Sequence, residues 1–184
     1  SFPCFFGIAV IAPDAVPLIL GPKWTDAVAP IQFLSIAMPL RFIDVLFGPV
    51  ITGKGRPGIM AGNMLVAIII MPAAFLIGAQ WGIVGLCYAW VLAYPVLFAF
   101  MLMRVLKVLE ISLGRFLREV CFPLLSSVVM VVCLYAFHLS FSESLGSLGM
   151  VAASILLGAG IYAGATLTLN RSVVRDFKLM FSTT

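Results

Sequence analysis

Apolar residues run through this chain in six long stretches, at about 2–20, 28–51, 58–78, 82–103, 121–139 and 149–169. Between them lie short segments where glycine, proline and charged residues collect. An α-helix rises about 1.5 Å per residue, so roughly 20 apolar residues cross a hydrocarbon core about 30 Å thick. Each stretch comes close to that length. The breaks at 52–57 and 79–81 are so short that the helices flanking them must be antiparallel neighbours. The pattern predicts an all-α polytopic membrane protein, with a bundle of six transmembrane helices over 1–170 and a basic tail at 171–184.

Composition points the same way. The 184 residues are 63% hydrophobic and 10% charged, and the mean hydropathy is +1.20. An ordinary soluble domain carries about 25% charged residues and could not hide this much apolar surface. The chain opens Ser1-Phe2-Pro3-Cys4, with neither an initiator methionine nor a basic flank before the first apolar stretch, so it does not read as a signal peptide. A piece of a longer protein is the expectation.

Charge sets the orientation, because lysine and arginine are retained on the cytoplasmic side. Lys54 and Arg56 follow the second stretch, Arg104, Lys107, Arg115 and Arg118 follow the fourth, and Arg171, Arg175 and Lys178 follow the sixth. These segments fall on one side of a six-span zigzag. The other side carries Lys23, Asp26 and Glu143. A cytoplasmic C-terminus follows, with Trp24 and Trp81 in an outer aromatic belt.

Several spans are expected to bend. Pro3, Pro13 and Pro17 lie in the first, Pro30, Pro39 and Pro49 in the second, Pro72 in the third and Pro95 in the fourth. A proline within a helix removes a hydrogen bond, and the freed carbonyl must be satisfied by a neighbour or a watered cavity. The sixth span offers Gly160-x-x-x-Gly164 and Ala159-x-x-x-Ala163 for close packing. Segment 104–120 separates charges from leucines and phenylalanine on two arcs, as a basic amphipathic helix lying on the membrane surface would. The tail repeats basic residues at i, i+4 and i+7, and both segments should meet anionic headgroups.

Arg41 and Asp44 stand inside the second stretch, otherwise apolar apart from Gln32 and Ser35. Counting from residue 28 places Arg41 near the midplane, with Asp44 at i+3 on nearly the same face. Charge at that depth is costly and marks either function or a buried pair.

Three local patterns resemble the polysaccharide transporter branch of the multidrug/oligosaccharidyl-lipid/polysaccharide exporter superfamily, the lipid-linked oligosaccharide flippases. The run from Ala12-Pro13-Asp14 to Gly21-Pro22-Lys23-Trp24 is similar to a family span ending in a Gly-x-x-Trp turn. Gly53-Lys54-Gly55-Arg56-Pro57 is similar to its cytoplasmic Gly-Arg/Lys-Pro turn, and Trp81-Gly82-Ile83-Val84-Gly85-Leu86-Cys87-Tyr88-Ala89 to its Gly-Ile-x-Gly-x-x-x-Ala helix start. The likeness covers about residues 1–110, and the last two spans match by hydropathy alone. It implies that the six spans are the C-terminal part of a two-lobed helical transporter in the bacterial cytoplasmic (inner) membrane, with a central cavity.

The cargo this resemblance implies is a polyprenyl-pyrophosphate-linked glycan, moved by alternating access. Membrane lipids and other polysaccharide-assembly membrane proteins would be its neighbours. Such a cargo needs cations for phosphate and polar groups for sugar. Arg41 is the candidate phosphate contact, since a guanidinium offers several donors and keeps its charge. A structural ion pair with Asp44 is the other reading, compatible with the first. Gln32, Asn63 and Tyr94 are candidate sugar contacts, although interhelical hydrogen bonds would use them equally well. Asp44 is a candidate for ion coupling, opposed by the adjacent Arg41, and so is Asp14, between Pro13 and Pro17, although a helix-end carboxylate at the external interface is the favoured reading of Asp14.

Other chemistry is not expected. His138 stands alone at the outer end of the fifth span, and Cys4, Cys87, Cys121 and Cys133 have no ligand-like spacing, so no metal, cofactor or disulfide framework is anticipated. There is no glycine-rich phosphate loop, nucleophile motif or nucleic-acid face. A peptidoglycan-precursor flippase or a drug/cation antiporter would keep the fold and change the cargo. A membrane glycosyltransferase or polymerase would need acid/base or metal-binding groups in a sizeable outer loop, where only short loops are expected.

Overall fold

The computed structural model describes residues 1–141 and 146–169. The expected tail at 171–184 and Glu143 lie outside the described residues. Seven α-helices are present among the described residues: α1 (Phe2–Leu20), α2 (Val28–Val45), α3 (Phe47–Gly53), α4 (Pro57–Gly78), α5 (Gly82–Leu109), α6 (Leu113–Phe141) and α7 (Ser147–Leu169). Short 3-10 turns at Pro22–Ala27 and Ala79–Trp81 join α1 to α2 and α4 to α5. The fold is all-helical in these residues, and five helical stretches are long and apolar enough to cross a membrane. Large apolar side chains cover its outside: Leu76 and Leu156 are 75% and 74% exposed. In water that surface would be unfavourable, whereas hydrocarbon accepts it.

The longest of the five stretches, Pro57–Leu109, folds back on itself. Hydrogen-bonded or stacked pairs Asn63–Arg104 and Phe75–Trp90 run in opposite directions along α4 and α5, which therefore form an antiparallel hairpin. Its closed end is set by glycines. Gly82 turns the chain at φ +68. A methyl group on Gly78 or Gly85 would collide with the backbone carbonyl of the other. The tight crossing expected of the sixth span is found here instead. In α7 a Cβ on Gly160 or Gly164 would meet nothing within 4 Å, and Gly158 is the glycine that faces Met130 and Leu134 of α6.

The second apolar stretch, long and apolar enough for one span, is built of two helices. Pro49 has no N–H to give the carbonyl of Val45, and its ring crowds that carbonyl, so α2 ends there and α3 begins at Phe47. Pro30 and Pro49 both sit in first helical turns, where a donor is not needed. The 53–57 turn closes with Gly55 at φ +71 and Pro57 opening α4.

Segment 104–120 is not one surface helix. Glu110 takes the left-handed conformation at φ 57 and ends α5, with Ile111 N–H returning to the Leu106 carbonyl. The Ser112 carbonyl accepts from Arg115 and Phe116, so α6 starts immediately and continues to Phe141. Leu109, Ile111 and Phe116 pack on the helical core rather than facing lipid. Amphipathic periodicity is the same for a surface helix and for two helix ends meeting at a turn, which is why the pattern misled.

The described chain forms two compact units. The first comprises residues 26–116 with Ser1, and the second comprises 2–25 with the chain from Leu117 onward. In the first, α2 and α5 run in the same direction, as the pairs Phe33–Tyr88 and Asp44–Tyr94 show. Phe47, Ile51, Tyr94, Phe98, Leu102 and Val105 make its core. In the second, α1 and α7 pack together, and Met130 of α6 reaches both Gly7 of α1 and Gly158 of α7.

Candidate functional site

Asp44 sits two residues before the break at Leu46, and two donors meet at it. Arg41 Nη1 lies 2.7 Å from Asp44 Oδ2, and the Tyr94 hydroxyl of α5 donates to the same oxygen at 3.1 Å. Local helix geometry supplies the first contact, because i and i+3 share a face. Parallel packing of α2 on α5 supplies the second. Tyr94 is buried, and its ring lies 5.0 Å from that of Trp90. The carboxylate is covered, with a side chain 12% exposed, whereas the Arg41 side chain is 49% exposed. A covered carboxylate thus holds one nitrogen of a guanidinium whose side chain is otherwise half exposed. Arg41 is the most open charge in this cluster, and phosphate oxygens are the partners such a fork suits.

Asn63 is placed elsewhere in the same unit. It is 2% exposed, and its Oδ1 accepts from Arg104 Nη1 at 2.8 Å. The Arg104 guanidinium also lies 5.6 Å from the centre of the Phe100 ring and runs past Gly62, whose missing side chain makes room for it. Asn63 and Tyr94 therefore make interhelical hydrogen bonds in this structure. Gln32 lies nine residues before Arg41 on α2, about 13 Å along the axis, so the two are not brought together. A groove of about 390 Å³ beside the Gly78–Gly85 crossing is lined by apolar and small residues such as Ala74, Ile77, Trp81 and Leu92, and has no charge for an anionic head.

Asp14 belongs to the second unit and is not a bare helix-end carboxylate. Its Oδ2 lies 3.4 Å from His138 Nδ1, and His138 Nε2 lies 2.9 Å from the Ser154 hydroxyl. In the sequence His138 is a lone imidazole near a helix end, and nothing singles out Ser154. The signal was depth: Asp14, His138 and Ser154 each lie within about two turns of one end of their helices. Among the described residues no three His, Cys, Asp or Glu side chains cluster as a metal site would require.

No family model matches the chain, and no solved structure does. Two relatives are similar to it. It is 23% identical over 185 residues to an "uncharacterized membrane protein in cps region" of Klebsiella pneumoniae, an alignment covering 98% of this chain and 37% of that protein. It is 25% identical over 140 residues to "lipopolysaccharide biosynthesis protein WzxC" of Escherichia coli strain K12, covering 74% of this chain and 28% of that protein. The chain spans about a third of the length of these relatives. It is a helical, membrane-type chain with distant likeness to proteins of polysaccharide biosynthesis.

Proposed function

We propose that this chain is the C-terminal part of a flippase that carries a lipid-linked oligosaccharide or polysaccharide precursor across the bacterial cytoplasmic membrane by alternating access. On this reading the hairpin α4–α5 crosses the membrane twice, which brings the passes to six, and the C-terminus is cytoplasmic. The protein works as a transporter, not an enzyme. The observation that carries the proposal is Arg41: a guanidinium in an apolar stretch, anchored on one side by Asp44 and half exposed on the other. The likeness to a lipopolysaccharide biosynthesis protein supports it. A cation carrier would need an available carboxylate, and Asp44 is already engaged by Arg41 and Tyr94.

Arg41→Ala should lower glycan export at least tenfold at unchanged protein level, since a charged hydrogen bond contributes about 1.5–3 kcal/mol. Arg41→Lys should restore part of it, because a point charge replaces the fork. Asp44→Asn distinguishes the carboxylate's roles. Export that keeps its dependence on the ion gradient leaves Asp44 as the anchor of Arg41, and loss of that dependence makes Asp44 the coupling group. Full export by Arg41→Ala would reduce the pair to a structural one.

A further inference from the structure

The Asp14–His138–Ser154 chain joins three helices of the second unit and is independent of the cargo reading. Both ring nitrogens of His138 are engaged, by a carboxylate oxygen at 3.4 Å and a hydroxyl at 2.9 Å. A neutral imidazole donates from one nitrogen and accepts at the other, while an imidazolium donates from both. A carboxylate can only accept, so the tautomer that suits the 3.4 Å contact carries its hydrogen on Nδ1 and leaves Nε2 to accept from Ser154. An added proton enters at Nε2. The Ser154 hydroxyl then turns so that its oxygen accepts, and the Asp14 contact becomes a full ion pair.

We propose that Asp14, His138 and Ser154 form a proton-binding site that fastens α1, α6 and α7, taking up one proton at His138 Nε2 and releasing it to water. The side chains of His138 and Asp14 are 18% and 32% exposed, so the pair is partly open at its surface, while Ser154 is buried. Among the described residues, Asp14 is the charged group in contact with the ring. It is the single charged residue of α1, and α7 has none over its length. The charges of α6, Arg115, Arg118 and Glu119, lie toward its other end, roughly 28 Å or more along the axis. The remaining titratable groups of these helices are thiols and phenols: Cys4, Cys121, Cys133, Tyr135 and Tyr162. Lys23 follows in the turn after α1.

The order carboxylate–imidazole–hydroxyl is also that of a serine nucleophile's triad. Ser154 does not fit that role. It is 1% exposed inside a continuous helix, where the neighbouring backbone N–H groups are bonded along the helix and none is left to stabilise an oxyanion. The site handles a proton, and imidazole is the side chain suited to exchange one between pH 5 and 8. An imidazolium–carboxylate pair in a low-dielectric surrounding is stronger than the neutral-ring contact, so protonation draws α1 and α6 together.

His138 is the one histidine of this chain, and in 15N-histidine NMR of the protein in lipid nanodiscs its ring is the signal that His138→Gln removes. The Nδ1–H form is expected above neutral pH, and Asp14→Ala should convert it to the Nε2–H form. Spin labels at the exposed Ile19 and Leu139 should give a distance distribution that narrows as pH falls from about 8 to about 5. His138→Gln, which keeps an amide donor and acceptor, should abolish that narrowing. Asp14→Asn, close in shape to the native side chain, should keep the Nδ1–H form and lose the narrowing. A wild-type ring in the Nε2–H form, a pH-independent distance, or narrowing that survives in His138→Gln would overturn the proposal. None of these readouts involves cargo, so their failure is separate from failure of the flippase reading.

Discussion

At Asp44 a single carboxylate oxygen takes hydrogen bonds from Arg41 and Tyr94, and the two donors differ in what they leave behind. Tyr94 is buried and has one proton to give, so its contribution is to hold the carboxylate in place. Arg41 has further N–H groups on a half-exposed side chain. Tyr94→Phe should therefore cost about 0.6–1.7 kcal/mol, the span reported for interhelical hydrogen bonds in membranes, while glycan export stays within about twofold. A chemical-denaturation midpoint and an export assay on the same variant check both halves. The Arg41–Asp44 pair was legible in the sequence because i and i+3 meet within one helix. Tyr94 as their partner was not, since its contact with Asp44 spans fifty residues and depends on how α2 lies on α5. Likewise Asn63 is a polar residue in an apolar stretch from sequence, and only packing reveals that Arg104 occupies it.

Among the elements, glycine and proline matter through their neighbours rather than their presence. The α4–α5 crossing has no room for a side chain at Gly85, whereas the Gly160 and Gly164 positions of α7 do. Gly85→Leu should push the hairpin apart and cost at least the ~1–3 kcal/mol typical of overpacking, with Gly160→Leu close to neutral in the same thermal-unfolding measurement. Full stability in Gly85→Leu would mean that the helices are further apart than described. The bounds of helices α1 and α4 were legible nearly to the residue because apolar runs bounded by glycine and proline define them. The expected bend at Pro49 is a break between α2 and α3, since a first-turn proline starts a new helix rather than kinking one. The two ends meeting at Glu110 could not be told from a surface helix, since a left-handed non-glycine residue carries no sequence mark.

For the whole molecule, we propose that the protein moves a lipid-linked glycan by alternating access and that Arg41 meets the anionic head of that cargo. Five apolar helical stretches, one of them a hairpin, and an outside covered by large apolar side chains establish the membrane setting. The cargo rests on Arg41 and on likeness to proteins about three times this chain's length. The direct measurement uses proteoliposomes holding the full-length protein and a polyprenyl-pyrophosphate-linked oligosaccharide labelled on its sugar. Transfer between leaflets is read by an added glycosidase that reaches the outer leaflet alone. The account predicts that wild-type protein exposes the inner pool, that Arg41→Ala slows this at least tenfold, and that Arg41→Lys lies between. An inner pool that stays protected with correctly folded wild-type protein, or is exposed equally fast with Arg41→Ala, would contradict it.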